Sequence, residues 1–391
     1  MPNWHNWSGK LASKPSKLLF PRSEEDVRAI VHQASRDGAK IRCAGATHSH
    51  APLVQHDDII MDLRGVAGIT QIDHEAQTAW LGAGARLFTL GDELRRHGLA
   101  LHNQGDIDEQ AIAGATATGT HGTGLALKNL SSAVIGMRIV TAGGELLECN
   151  AHTNADIWRA ARLHLGAYGV VTALQLQLRS AYKLQEQSWT IPLEEALEQS
   201  LDRIYQHRHF EFFWYPQGDE ANIKVIDETD APGVYPLAEE GARCAWNYEV
   251  LPNYRPHKHT EMEYSVPLDA GPDCLRDIQA LLTQKFPEVR WPVEYRTLAA
   301  DDVWLSSAYE RDTITISVHE DVRVDERAYY QGCEEVFRAY DGRPHWGKLH
   351  YLNGEDLASI HPRWQEWWQQ RDALDPEDIF LNEHLRSLRT R

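Results

Sequence analysis

Val27, Ile30, Val31 and Ala34 recur at i, i+3, i+4 and i+7, behind Ser23 and ahead of Gly38. That spacing predicts an amphipathic helix with Ser23 as N-cap, Asp26 at the capping-box distance and Gly38 as its stop. Leu87, Leu90 and Leu94 predict a second helix, ending at Gly98. Between them, short apolar runs predict strands at 41–44, 59–63, 69–72 and 78–81, separated by Gly or acidic turns. The stretches 133–140 and 145–149 flank Ala142-Gly143-Gly144 and predict a β-hairpin. A helix over 156–164 and a strand over 170–178 follow. Beyond 180 the texture shifts: an amphipathic helix at 193–207, an aromatic strand at 210–215, and an acidic, Gly- and Pro-containing stretch at 219–245 that reads as surface loops. Strands at 261–266, 291–298 and 313–319 alternate with helices near 273–286 and 325–340, which predicts one sheet covered by helices. Trp364, Trp367 and Trp368 fall at helical spacing and read as core. The pattern has no regular βαβ spacing and no GxGxxG after a first strand, so the fold class expected is α+β.

A chain of 391 residues with 42% hydrophobic content can bury a large core and is expected to form two domains. Its formal charge is −18, from 39 basic and 57 acidic residues without a basic block, which argues against nucleic acid and anionic membrane as partners. No apolar run approaches the ~20 residues needed to span a bilayer. The first residues lack a charged and then apolar signal segment. Cys43, Cys149, Cys244, Cys274 and Cys333 are odd in number and scattered, so they read as reduced thiols of a cytoplasmic protein, without disulfide or metal. His207, His209, His257 and His259 form two His-x-His pairs without an acidic or Cys partner at metal spacing, and read as surface histidines.

Candidate chemistry begins in the loop after strand 41–44, where small residues beside His48 let backbone N–H groups close on a phosphate or ring. The run from Ala113 to Gly124 is too rich in Gly and Thr for a packed helix and suits backbone laid along a planar cofactor. In the second half, Glu294 and Arg296 are two apart in a strand and share a face. Thr313, Thr315, Ser317 and His319 alternate onto one face, toward solvent or a polar pocket. Lys348 follows a turn at His345-Trp346-Gly347.

These motifs, in this order, resemble the vanillyl-alcohol-oxidase-type FAD flavoproteins, and within them the sugar-oxidising branch of aldono-1,4-lactone oxidases and dehydrogenases and alditol oxidases. The resemblance covers nearly the whole chain. It implies an FAD-binding domain over 1–180, a substrate cap over 181–343, and a tail over 344–391 returning to the flavin. It implies FAD held covalently through His48, with Ala44, Gly45, Ala46, Thr47, Ser49 and His50 in the same loop. Ala113, Gly114, Thr118, Gly119, His121, Gly122 and Thr123 match the second cofactor loop; Gly169, Val170 and Val171 match a cofactor-lining turn, and His384 and Lys348 complete the set. Glu294, Arg296 and Lys348 match active-site groups, and Asp106 adds a carboxylate near the ring. Where alditol oxidases carry a His on the strand after Glu-x-Arg, this chain has Ser317, with His319 two residues on. Gly105 falls where Gly accompanies oxidases and Ala accompanies oxygen-insensitive dehydrogenases.

The activity implied is oxidation of a polyol or aldonolactone, with hydride passed to FAD and then to oxygen, releasing hydrogen peroxide, by a protein expected to be monomeric. The C-terminal segment, with Asp375-Pro376 and Phe380-Leu381-Asn382, looks closer to the alditol oxidases and tips the expectation toward polyols. A dehydrogenase with another acceptor stays open, as does a non-catalytic flavin- or carbohydrate-binding protein. The charged trio Glu294, Arg296 and Lys348 favours an enzyme, since a binder has no need of charges beside a flavin.

Overall fold

The computed structural model describes residues 2–390. Helix Glu24–Asp37 forms as its pattern requires, with Ser23 Oγ accepting the Asp26 N–H and Gly38 closing it at φ +67°. The Asp26 carboxylate takes the Arg22 N–H at 2.8 Å, so the reciprocal half of the capping box is not made. Strands Lys17–Leu19, Ile59–Asp62 and Ile41–Ala44 make a small parallel sheet with Ile59–Asp62 in the centre. Beside it lies a five-stranded antiparallel sheet ordered Leu146–Asn150, Val134–Val140, Val170–Gln177, Thr78–Gly82, Ile69–Asp73. The expected hairpin is its first pair, and Val170–Gln177 is its central strand.

The run from Ala113 to Gly124 is not all loop. Ile112–Ala117 is a buried helix, and only Thr118 to Gly124 runs as open loop. Ala113, Ala115 and Ala117 are good helix formers, and Thr116 returns its hydroxyl to the Ile112 carbonyl at 3.1 Å, which removes the cost of burying it.

The second half builds an eight-stranded antiparallel sheet, ordered Cys244–Trp246, Lys183–Pro192, Glu220–Thr229, His209–Trp214, Val293–Leu298, Thr313–Asp321, His259–Pro267, Arg343–Pro344. Helices Leu193–Gln206, Gly271–Lys285 and Arg327–Ala339 pack against it. The stretch 219–245 is therefore not all loop: Glu220–Thr229 is an interior strand. Its alternation of Ala221, Ile223 and Val225 is masked by charged ends and by Lys224, which is buried because Glu211 neutralises it from the neighbouring strand.

The sheet is pinned to the N-terminal half through Thr123, whose hydroxyl donates to the Phe210 carbonyl at 2.5 Å, and through Gly124, whose N–H donates to the Thr297 carbonyl at 3.1 Å. The chain's last stretch returns to that half. Trp364, Trp367 and Trp368 are buried, and Trp367 Nε1 donates to the Leu163 carbonyl at 3.0 Å. The buried Arg42 guanidinium gathers the carbonyls of Leu53, Leu165, Gly166 and Phe380 at 2.5–2.7 Å, which ties strand Ile41–Ala44, the middle of the chain and the tail to one point.

Candidate active site

Two cavities meet at the loop after Ile41–Ala44. The first is a channel walled by Ala44, Gly45, Ala46, Thr47, His48 and Ser49 on one side, by Ala113, Gly114 and Thr118 on another, and by Gly169 and Val171 beneath. A Cβ on Gly114 would meet no atom within 4 Å, so that glycine faces open space. Gly169 instead is required by the backbone: its φ is +124°, and a Cβ would lie 2.5 Å from the Val140 carbonyl oxygen. Trp4 Nε1, Gln110 Oε1 and His164 Nε2 line the channel, buried and without hydrogen-bond partners. Small walls with orphaned polar atoms fit a long ligand carrying both apolar and polar parts, as FAD does.

The loop is held from both ends of the chain: Trp7 N–H donates to the Thr47 carbonyl at 2.8 Å, Asn6 Nδ2 to the Ser49 carbonyl at 3.0 Å, and His50 N–H to the Gly347 carbonyl at 2.7 Å. His48 stacks on Trp7, ring centroids 5.3 Å apart. Burial pushes its pKa below the usual value, against the pull of Glu109 at 3.5 Å, so the imidazole keeps a nucleophilic lone pair at neutral pH. His48, Ser49, Gln110 and Thr118 line both cavities.

The second cavity, about 1280 Å³, lies between this loop and one face of the eight-stranded sheet. Glu294 and Arg296 share that face, while Tyr295 between them stacks on Phe212. Arg296 Nη2 donates to Glu263 at 2.5 Å and lies 3.3 Å from Glu294. Glu263 also accepts from His121 Nε2 at 2.9 Å and from Ser317 Oγ at 2.7 Å. Burial would raise the Glu263 carboxyl, but His121 and Arg296 hold it well below the usual range, and it is an anion. Burial raises Glu294 to about 8 despite Arg296, so its carboxyl is largely neutral at pH 7. Glu294 Oε1 and Arg296 Nε are buried and unpartnered.

Lys348, half-buried, pairs with Glu261 on the same wall. His319 donates Nδ1–H to the Pro292 carbonyl at 2.8 Å, leaving Nε2 3.7 Å from Glu261. His345 accepts the Gly347 N–H at Nδ1, so Nε2 carries its proton at the cavity. Asp106 lines the cavity too, but Asn253 and Arg255 occupy its carboxylate; burial would raise it, and Arg255 with Lys224 brings it down to about 2.

Not every expected residue reaches a cavity. Gly105, His50 and His121 line the second, while Gly119, Gly122, Thr123 and Val170 line neither. Thr123 instead joins the two halves. A Cβ on Gly122 would lie 2.3 Å from the Gln104 carbonyl oxygen, so its absence of side chain serves packing. His384 also lies outside both, with its nearest aromatic partner the His350 ring at 6.3 Å.

Among the four histidines read as surface, two are not. His209 is buried with Nδ1 on the Thr123 carbonyl at 2.8 Å, and His259 is half-buried in the cavity wall, whereas His257 reaches the cavity from an exposed position. Glu261 and Glu263 belong to the site without standing in any of the motifs above. The signal is present, because His259, Glu261 and Glu263 alternate along one strand and must share a face.

The model of the D-arabinono-1,4-lactone oxidase family matches residues 174–255 and 237–388, and that of an FAD binding domain matches 15–150. This chain belongs to the D-arabinono-1,4-lactone oxidase family. The FAD binding domain match contains the channel walls from Ala44 to Ser49 and from Ala113 to Thr118, and the lactone-oxidase match contains Glu294, Arg296 and Lys348. The chain is 33% identical to an L-gulono-1,4-lactone dehydrogenase of Mycobacterium tuberculosis, with 98% of each chain covered. It is 28% identical to an L-gulonolactone oxidase of Scyliorhinus torazame, covering 98% of this chain and 97% of that one. It is also 28% identical to an alditol oxidase of a Streptomyces species, covering 98% of each. The crystal structure of cholesterol oxidase from B. sterolicum shares the fold of this family member at a TM-score of 0.87 and 17% identity, covering 99% of this chain and 96% of that one. No helix among the described residues is long and apolar enough to cross a membrane.

Proposed function

We propose that this protein is an FAD-dependent oxidase of aldono-1,4-lactones or related sugar polyols. One observation carries the reading: the channel that fits FAD opens at His48 into a cavity whose far wall bears Glu294, Arg296 and Lys348. The domains of this reading are 1–180 for the cofactor, 181–343 for the cap and 344–391 for the returning tail. The five cysteines, all free, suit a cytoplasmic protein.

Bound FAD supplies the hydride acceptor. Arg296 is positioned by Glu263 and offers its unpartnered Nε to a substrate oxygen. The neutral Glu294 carboxyl donates to a second oxygen, and His345 Nε2–H can hold a third. His319, with Nδ1–H committed to Pro292, presents the lone pair of Nε2 and takes the hydroxyl proton. Lys348 places a cation on the wall where negative charge develops. The whole-length similarity to gulonolactone enzymes supports lactones over the polyols that the C-terminal segment alone suggests. Anaerobic mixing with a panel of lactones and alditols tests the reading: the flavin should bleach with at least one lactone, and no bleaching with any member would refute it.

Glu294 permits a sharper test. Glu294→Gln, whose amide approximates a neutral carboxyl, should stay near wild type, while Glu294→Ala should raise KM about tenfold, the worth of one buried hydrogen bond. Equal losses in both variants would mean that the ionised carboxylate is the working form.

The acceptor hangs on Gly105. A Cβ there would lie 3.2 Å from Thr120 Cγ2 and 3.4 Å from the His121 carbonyl oxygen, so Ala fits with a shift of tenths of an ångström. Close packing lets one methyl close a path for oxygen. Gly105→Ala is expected to slow reoxidation by oxygen and spare anaerobic reduction, as read by mixing reduced enzyme with aerated buffer. Sluggish reoxidation of the wild type would identify a dehydrogenase.

A further inference from the structure

His50, His259 and Glu261 converge on the cavity wall from two directions. His259 and Glu261 are two apart on strand His259–Pro267 and share its cavity face. His50 comes from the loop after Ile41–Ala44 and faces them, its ring centroid 5.7 Å from that of His259. One potential ligand atom from each lies within 4.8 Å of the others. We propose that these three side chains form a site for a divalent transition cation of the Zn²⁺ class, with one coordination position open to the cavity.

The hydrogen bonds decide between a cation and a proton in this cluster. His259 Nδ1 lies 2.9 Å from the His257 carbonyl, which can only accept, so Nδ1 carries the proton and Nε2 a lone pair. That Nε2 faces Glu261 Oε2 at 3.7 Å, too long for a hydrogen bond. His50 Nε2 lies 4.0 Å from the same oxygen. His50 is only 6% exposed, and its Nδ1 is buried without a hydrogen-bond partner. A buried ring nitrogen left without a partner is costly. The His259 lone pair and the His50 ring face a carboxylate whose close cation is the Lys348 ammonium, which leaves a gap for a second positive centre between the three. A tetrahedral Zn²⁺ with bonds of about 2.0–2.1 Å separates its ligand atoms by about 3.4 Å, so the spacings of 3.7 and 4.0 Å to Glu261 close onto an ion by small side-chain rotations. The neighbouring cluster of His121, Glu263 and His345 makes the contrast: there His121 Nε2 meets Glu263 at 2.9 Å, with a proton in the bond, and no gap for an ion.

Lys348 Nζ contacts the same Glu261 oxygen. A cation bound here therefore takes the carboxylate from the ammonium and fills the cavity beside Arg296 and Glu294. The consequence is reversible inhibition of substrate oxidation. That consequence rests on the oxidase reading, whereas the binding does not.

Holoenzyme titrated with Co²⁺ tests the site. We expect d–d absorption to the red of the flavin bands, saturating at one equivalent and abolished by Zn²⁺. His259→Gln and His50→Gln should each weaken Co²⁺ binding by more than about 100-fold, since even outer-sphere partners of a metal are worth 10- to 100-fold. His257→Gln, which leaves the backbone carbonyl in place, should bind as the wild type does. An unchanged flavin spectrum and melting temperature certify the fold of each variant. Absence of the band in the wild type, or wild-type affinity in the His259 and His50 variants, would overturn the site. Zn²⁺ should also inhibit turnover and EDTA restore it. Because the Co²⁺ band is read without turnover, its failure leaves the oxidase reading untouched, and inactivity toward every sugar leaves the metal site standing.

Discussion

Replacing Arg296 by Ala should slow anaerobic flavin reduction by roughly 100- to 1000-fold, the scale of losing one preorganised electrostatic group. Arg296 is buried, held by Glu263 at 2.5 Å and flanked by Glu294 at 3.3 Å, and its Nε has no partner within the protein. The guanidinium is thus oriented before substrate arrives. Lys cannot offer two fixed donors in a plane, so Arg296→Lys should recover little of the rate. Lys348→Ala should give a loss of similar size, because its ammonium stands on the same wall. Stopped-flow reduction with the best lactone measures each. Removing Arg296 also leaves Glu263 with a lost partner, which costs about 3–5 kcal/mol where a buried pair is broken. A melting temperature taken alongside separates lost catalysis from lost fold. Rates like those of the wild type in all three variants would make the cluster an ordinary structural ion pair.

Wild-type protein, denatured and separated on a gel, should keep flavin fluorescence on the polypeptide band, and His48→Ala should lose all of it. His48 stands where the channel meets the cavity, stacked on Trp7 in a loop fastened by Asn6 and Trp7 on one side and Gly347 on the other. Thr47 beside it holds φ at +63°, a conformation rare outside Gly, Asn and Asp, which turns the imidazole into that junction. Burial keeps the ring neutral, and a neutral imidazole is the nucleophile a covalent link needs. The rest of the channel wall is unaltered by the substitution, so His48→Ala should still bind FAD, released on acid precipitation. If the wild type also releases all its flavin to acid, the link does not exist, although cofactor binding survives.

Helix Glu24–Asp37 and the hairpin of Val134–Val140 with Leu146–Asn150 were legible because caps, turns and period are local properties. So was the shared face of Glu294 and Arg296, since residues two apart in any strand point the same way. Local rules also explain the failures. Gly and Thr around the alanines hid the helix Ile112–Ala117, and Lys224 with the acidic ends of its strand disguised Glu220–Thr229 as surface. Neither segment has a period strong enough to outweigh its composition until a neighbour buries it. What alternation leaves open is which environment a polar face meets. His259, Glu261 and Glu263 would make an unremarkable solvent-facing strand; the closure of the N-terminal half over that sheet turns them into a cavity wall. Register supplies the rest: Glu261 stands directly opposite His319, 58 residues on in the chain, because strands His259–Pro267 and Thr313–Asp321 pair antiparallel. Side-chain direction along a strand is fixed by the backbone of that strand alone, but what lies across the cavity depends on every element packed around it.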